Sequence, residues 1–312
     1  MHLAEEELAA ADAVLKAHGR TFHWARRFLG QRHAVRATLL YSFCRFVDDA
    51  ADEASSEEEA RATLAAIRED FERERPTLAE VRGARAVLGA HPVGRQAALD
   101  LLAGVEGDLD EVAFATVEDL IQYAYRVAGT VGLMMCLALD QDDPAAFPHA
   151  VDLGIAMQLT NIARDIHEDA TLGRRYLPAE LVGDLAPARI RQPGAEERAR
   201  LVAAREALVA AAEPYYQSGE RGLCYLPLGA RFAILAASRS YRAIGPRAVA
   251  LGERLDVRAR VGGLSKAGIS LGAFASRPLS PGFWRRPRAH DASLHGALAD
   301  LEVTSAWGAG HA

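Results

Sequence analysis

Cysteine, lysine and β-branched alternation are all scarce in this chain of 312 residues. The three cysteines, Cys44, Cys136 and Cys224, stand far apart and form no CxxC pair. That excludes a disulfide framework and fits a reducing cytosol. Lysine occurs only at Lys16 and Lys266, so the cationic side is almost all arginine. Arginine suits phosphate and carboxylate recognition, although codon bias produces the same imbalance. No charge-free apolar run reaches the about 20 residues that a spanning helix needs. The start, Met1-His2-Leu3-Ala4-Glu5-Glu6-Glu7, is acidic and carries no apolar core of a secretory signal. A net charge of −6 has the wrong sign for a general nucleic-acid binder. No βαβ alternation is visible, which argues against Rossmann and TIM-barrel architectures. Half of the residues are hydrophobic, enough for a sizeable core, so disorder of the whole chain is excluded.

The pattern that is present is helical almost throughout. Alanine makes up about a fifth of the chain, which favours close-packed helices. Periodicity and punctuation predict helices over 4–17, 33–53, 56–74, 93–107, 117–140, 144–170, 195–218, 228–250 and 258–274. Ser55-Ser56-Glu57-Glu58-Glu59 reads as a capped, acidic first turn. Pro214 is expected to kink or break its helix. No linker interrupts 1–275, which reads as one all-α domain. From 276 the Gly-, Pro- and His-rich stretch to 312 reads as a poorly ordered tail.

Two of these helices carry the same polar stripe. Tyr41, Arg45, Asp48 and Asp52 have offsets 0, 4, 7 and 11, one face of a 3.6-residue period. Leu39, Leu40, Phe43, Phe46 and Val47 take up most of the remaining circumference, which predicts a central helix with its stripe toward a cavity. Taken alone, the stripe better fits a partly exposed face with an ordinary Arg45–Asp48 pair. Gln158, Asn161, Asp165 and Asp169 repeat the spacing as 0, 3, 7 and 11, flanked by Leu153, Ile155, Met157, Leu159 and Ile162. Two buried acidic clusters facing one cavity repel unless divalent cations lie between them. Mg²⁺ takes oxygen ligands, typically a few carboxylates plus substrate phosphates. Arg45 and Arg164 suit the same phosphates. Acidic rims, cations and apolar walls together suit a hydrophobic diphosphate.

At this point the residues resemble a known family. Tyr41-Ser-Phe-Cys-Arg45-Phe-Val-Asp48-Asp49-Ala-Ala-Asp52-Glu53 is similar to the first aspartate-rich motif of the squalene/phytoene synthases. Gln158-Leu-Thr-Asn161-Ile-Ala-Arg164-Asp165-Ile-His-Glu168-Asp169 is similar to the second and runs on into Gly173-Arg-Arg-Tyr176-Leu-Pro178. Tyr123-Ala-Tyr125-Arg-Val-Ala-Gly129-Thr-Val-Gly132, Ala212-Glu-Pro-Tyr215-Tyr216, Tyr241-Arg-Ala-Ile-Gly245 and an early Gly19-Arg20-Thr21-Phe22 extend the resemblance over about 15–270.

The resemblance implies a single-domain, all-α isoprenoid synthase of the class I terpenoid type, a helical bundle around a central cavity. It implies head-to-head joining of two prenyl diphosphates through a cyclopropyl diphosphate. By the same resemblance Asp48, Asp52, Asn161, Asp165 and Asp169 bind Mg²⁺ or Mn²⁺. Arg45, Arg164, Tyr241, Arg260 and Lys266 contact diphosphate, the last two on a looser match, and His18 is a further diphosphate candidate. Tyr41, Tyr123 and Gln158 line the reaction centre. Phe22 and Val127 are wall residues for which plain core packing is an equal reading. Ala163 before Arg164 points toward the bacterial phytoene-forming members, which implies geranylgeranyl diphosphate as substrate and no NADPH. The alternative is farnesyl diphosphate, giving presqualene diphosphate, squalene or dehydrosqualene. A non-catalytic scaffold is disfavoured because all four motif aspartates are kept. Lipid substrate and product imply a cytoplasmic enzyme held peripherally at the inner membrane, handing its product to a desaturase, with no nucleic-acid partner. Phe283-Trp284-Arg285-Arg286 has an aromatic and basic composition suited to an anionic interface.

Overall fold

Caps, prolines and glycines decide where the helices start and stop. The computed structural model describes residues 5–276, 281–286 and 289–301. Helix α1 (Glu5–His18) gives way at Gly19 to α2 (Arg20–Ala25), a 3-10 turn and then α3 (Gln31–Asp52). Ser56 accepts the Glu59 amide and caps α4 (Glu57–Glu72). Helix α5 (Ala79–Leu88) occupies a stretch where none is predicted. The buried carboxylate of Asp70 accepts the amides of Thr77 and Leu78 and the Thr77 hydroxyl, and so builds its entry turn. Pro92 opens α6 (Pro92–Gly107) at a position whose amide has no helical partner anyway.

The helix predicted over 117–140 is composite. A Thr116–Asp119 capping box starts α7 (Val117–Ala124), a π turn follows at Tyr125–Gly129, and α8 (Thr130–Ala138) completes it. This stretch is long and apolar enough to cross a membrane by composition, but half of its most apolar window is buried in the bundle. Helix α9 (Phe147–Thr171) follows, then the short α10 (Ala179–Val182) and α11 (Pro187–Arg191). Helix α12 (Ala195–Gly222) carries Pro214 in its interior and continues past it. The predicted 228–250 helix is two, α13 (Leu228–Arg242) and α14 (Ile244–Ala250). Helix α15 spans Gly263–Ser276, later than the predicted start at 258, and α16 is one turn, Pro281–Trp284. Among the described residues there is no strand, and Ala113 and Arg175 form an isolated bridge.

Helix α9 is the axis of the bundle and packs on α8, α11, α12, α13 and α14. Its contact with the π turn and α8 is made backbone to backbone. A methyl group at Gly154 would stand 2.2 Å from the Ala128 carbonyl oxygen, and one at Gly132 would stand 2.2 Å from that of Ala150. Two glycines, one on each side of the crossing, therefore set the helix separation. Helix ends inside the bundle find partners as well. The Arg36 guanidinium donates to the carbonyls of Val87, Leu137 and Ala138, closing the ends of α5 and α8. The fully buried Arg205 does the same for Ala248 and Gly252 after α14.

The C-terminal stretch, expected as a loose tail, is docked where it is described. Phe283 and Leu298 are buried. The Tyr215 hydroxyl donates to the Leu294 carbonyl, and the Gln122 amide donates to that of Ala297. Two large apolar anchors and their backbone partners outweigh the Gly-rich composition there.

Gly154→Ala is expected to force the α8–α9 crossing apart and destabilise the protein by ~1–3 kcal/mol, the range for an overpacked core. A thermal melt that matches the unaltered protein would show that the crossing has slack.

Candidate active site

Helices α3 and α9 contribute polar groups to one end of an otherwise apolar cavity of ≈310 Å³. Asp48 comes from α3, and Gln158 and Asn161 from α9. Phe22, Val127 and Tyr241 are part of the same wall. Phe22 stands 5.9 Å, ring to ring, from both Tyr41 and Tyr241, so three aromatic faces gather beside the polar end. Met157, Leu153, Ala150 and His149 carry the wall along α9 to the far end.

The second stripe is not continuous. Asp165 has non-helical dihedrals (φ −104°, ψ 16°) inside α9. Beyond this kink, Asp165 lines a neighbouring polar cavity of ≈320 Å³ with Arg164, His167, Glu168 and Arg258. Its carboxylate accepts from Arg164 Nε at 2.7 Å and sits 2.9 Å from Arg258 Nε. Arg258 also reaches Glu168 at 3.1 Å. Tyr241 stands between the two cavities, close to Arg164, Asp165 and Arg258.

On α3, Arg45 pairs with Asp49, one helical turn on, and not with Asp48. Asp52 is exposed and accepts from Arg174 at 3.0 Å. Arg174 belongs to the segment just after α9, so this ion pair ties the end of one motif to the other. Tyr123 turns away from the cavity. Its hydroxyl donates to Asp108 at 2.9 Å, Tyr176 donates to the other oxygen at 3.1 Å, and the two rings stack at 5.1 Å. His18 and Arg260 are both exposed and line neither cavity. In the C-terminal basic segment it is Arg258, two positions before Arg260, that meets the motif. The side chain of Lys266 lies outside the described residues.

Charge is poorly balanced at this end. Burial, followed by the neighbouring Asp52, Asp49 and Asp108, pushes the Asp48 carboxyl up to about 7 against the pull of Arg45. Burial, followed by Asp165 and Glu168, pushes Asp169 up to about 8 against Arg174 and Arg164. Asp108 rises to about 6, chiefly by burial. The buried Asn161 Oδ1 has no hydrogen-bond partner, while its amide nitrogen donates to Gln158 at 3.2 Å. An orphaned amide oxygen beside under-neutralised carboxylates is a hard-oxygen donor set, and it fits a divalent cation. When bound, such an ion supplies Lewis-acid stabilisation of a departing diphosphate. Arg45, Arg164, Arg174 and Arg258 each rest on a carboxylate.

The fold and site together define an all-α prenyl-transfer type of enzyme. The squalene/phytoene synthase family profile matches residues 15–264. A phytoene synthase of Pseudescherichia vulneris is 40% identical over 229 residues, covering 69% of this chain and 73% of that one. One from Rhodobacter capsulatus is 32% identical over 311 residues, covering 95% and 91%. Among solved structures, a dehydrosqualene synthase in complex with ligand superposes with a TM-score of 0.79 at 27% identity, over 88% of this chain and 98% of that one. The chain belongs to the squalene/phytoene synthase family.

Sequence reasoning passed over Asp108, Arg174 and Arg258 as site residues. Arg174 sits within a motif already noted. Asp108 and Arg258 have no periodic signal, because loops and not helix faces bring them in.

The raised carboxyl groups have a consequence for pH. From about pH 4, where an ordinary aspartate ionises, up to about 8, the folded metal-free chain holds protons that the unfolded chain has released. Its stability therefore falls as pH rises through that window. The melting temperature of metal-free protein is expected to be lower near pH 8.5 than near pH 6, with a larger gain from added Mg²⁺ at the higher pH. Equal gains at both would contradict the placement of Asp48 and Asp169.

Proposed function

We propose that this chain is a phytoene synthase that joins two molecules of geranylgeranyl diphosphate, head to head, by way of a cyclopropyl diphosphate, using Mg²⁺. The carrying observation is the cavity: one polar end from the two aspartate motifs, and apolar walls for the hydrocarbon. The phytoene synthase relatives support the choice of product. In this reading Asp48, Asp52, Asn161, Asp165 and Asp169 hold the metal ions. Arg45, Arg164, Arg174 and Arg258 take the diphosphate oxygens when it departs and hold it as a leaving group. Phe22, Tyr41 and Tyr241 present ring faces to the allylic cation that remains. Val127, Met157 and Leu153 keep water from it. Tyr123 and Tyr176 act at one remove, by orienting Asp108. The reading needs no nicotinamide.

Purified protein given geranylgeranyl diphosphate and Mg²⁺ is expected to form a C40 hydrocarbon without NADPH. Asp48→Asn and Asp165→Asn are expected to lower kcat by ~10³-fold or more while keeping the fold. A C30 product from farnesyl diphosphate, or a cyclopropyl diphosphate that accumulates until NADPH is added, would move the chain to the squalene branch. No turnover of either substrate would defeat the reading.

The same proposal places the enzyme in the cytoplasm against the inner membrane, from which the product passes to a desaturase. The support is three exposed apolar side chains, Leu228 on α13, Leu271 on α15 and Trp284 on α16, with α13 and α15 packed together. Phe283 has no part in it, since it is buried beneath Arg231. A Leu228→Glu, Leu271→Glu double variant is expected to lose most of its flotation with anionic vesicles. Undiminished flotation would sink this placement.

A further inference from the structure

A second group of metal-ligating side chains lies at the opposite end of the cavity. His149 and Asp152 are buried on α9, three residues apart and so on one face, and His290 reaches them from the C-terminal segment. One donor atom from each lies within 4.8 Å of the other two. Along α9, His149 is about 18 Å from Asn161 at 1.5 Å per residue, so this cluster is separate from the aspartate motifs.

We propose that His149, Asp152 and His290 bind one divalent transition-metal ion of the zinc class, which fastens the C-terminal segment to α9. Two imidazoles and a carboxylate are the donors such an ion prefers, whereas Mg²⁺ prefers oxygen alone. Zinc bonds of about 2.0–2.1 Å in a tetrahedron call for donors about 3.3 Å apart. His290 Nε2 and Asp152 Oδ2 are 2.7 Å apart, and His149 is within 4.8 Å of both, so small side-chain shifts reach that geometry.

The surrounding contacts hold each donor in position. His149 Nδ1 lies 2.9 Å from Ser218 Oγ, which orients the ring and leaves Nε2 as ligand. His295 Nε2 lies 2.7 Å from Asp152 Oδ1, which fixes the second carboxylate oxygen and leaves Oδ2 for the ion. The protonation states also suit. Burial, with His290 alongside, pushes His149 down to about 4, so its imidazole is neutral at pH 7. Burial opposes the charge of Asp152, but the hydrogen bonds from His290 and His295 prevail and hold it below the ordinary carboxylate value. A neutral imidazole and an ionised carboxylate are the forms that ligate.

The test uses the full chain, stripped of metal with a chelator and titrated with Co²⁺ in the presence of excess Mg²⁺. One equivalent of Co²⁺ is expected to bind with the intense visible absorption of a tetrahedral site and to raise the melting temperature. Asp48→Asn should leave this uptake unchanged, and His290→Ala should weaken it at least ~10-fold. His290 lies in the C-terminal segment and not in the helical core, and His295 still pairs with Asp152 without it, so that variant is expected to fold. Asp152→Asn provides a second check, since its carboxamide still pairs with the imidazoles but ligates poorly. Failure to take up stoichiometric Co²⁺ would overturn the proposal and leave a hydrogen-bonded clasp. So would uptake that survives both His290→Ala and Asp152→Asn but is lost in Asp48→Asn.

Discussion

The surplus of carboxyl groups gathered beside the polar end of an apolar cavity is the constraint on which this structure turns. Asp48, Asp108 and Asp169 are all pushed toward their protonated forms, because burial removes water faster than nearby arginines supply countercharge. A fold selected for stability alone would neutralise such groups. Here Arg45, Arg164, Arg174 and Arg258 are each engaged by a carboxylate. On the proposed reading, this deficit is what cations and a diphosphate would answer.

The rest of the bundle sets apolar walls beside that charge. The glycine pair at the crossing of α8 with α9 brings the π turn against the cavity, so that Val127, Ala128 and Val131 form its wall. A π turn places an extra residue in the helix and rotates its two halves. The N-terminal half points Tyr123 at Asp108, and the C-terminal half carries Gly132 into the crossing.

The far end is closed by the C-terminal segment. Phe283 fills a pocket with Leu139, Leu223 and Leu226, and His290 and His295 meet Asp152 behind His149. The floor of the apolar cavity is thus backed by residues of the described C-terminal segment.

Much of this was legible in the sequence. The two stripes were, because a 3.6-residue period is a local property and the identity of its residues states their chemistry. Asp48, Gln158 and Asn161 reach the same cavity on that basis, and Tyr241, taken from the family resemblance, joins them there. The helix start at Ser56 was readable for the same reason, since a cap acts over three residues. What tertiary structure decided involves residues far apart in the chain. Asp108 is a site residue because two tyrosines from different segments converge on it, and α5 forms because Asp70 of α4 organises its entry. Arg258 and not Arg260 meets Asp165, since an irregular segment sets its own phase. The kink at Asp165 divides a stripe that the period alone would keep whole. The C-terminal stretch folds because the bundle offers it pockets and a buried carboxylate, which no composition of its own could reveal. Local periodicity therefore determined which chemistry the chain carries, and long-range packing determined which charges are left unbalanced enough to perform it.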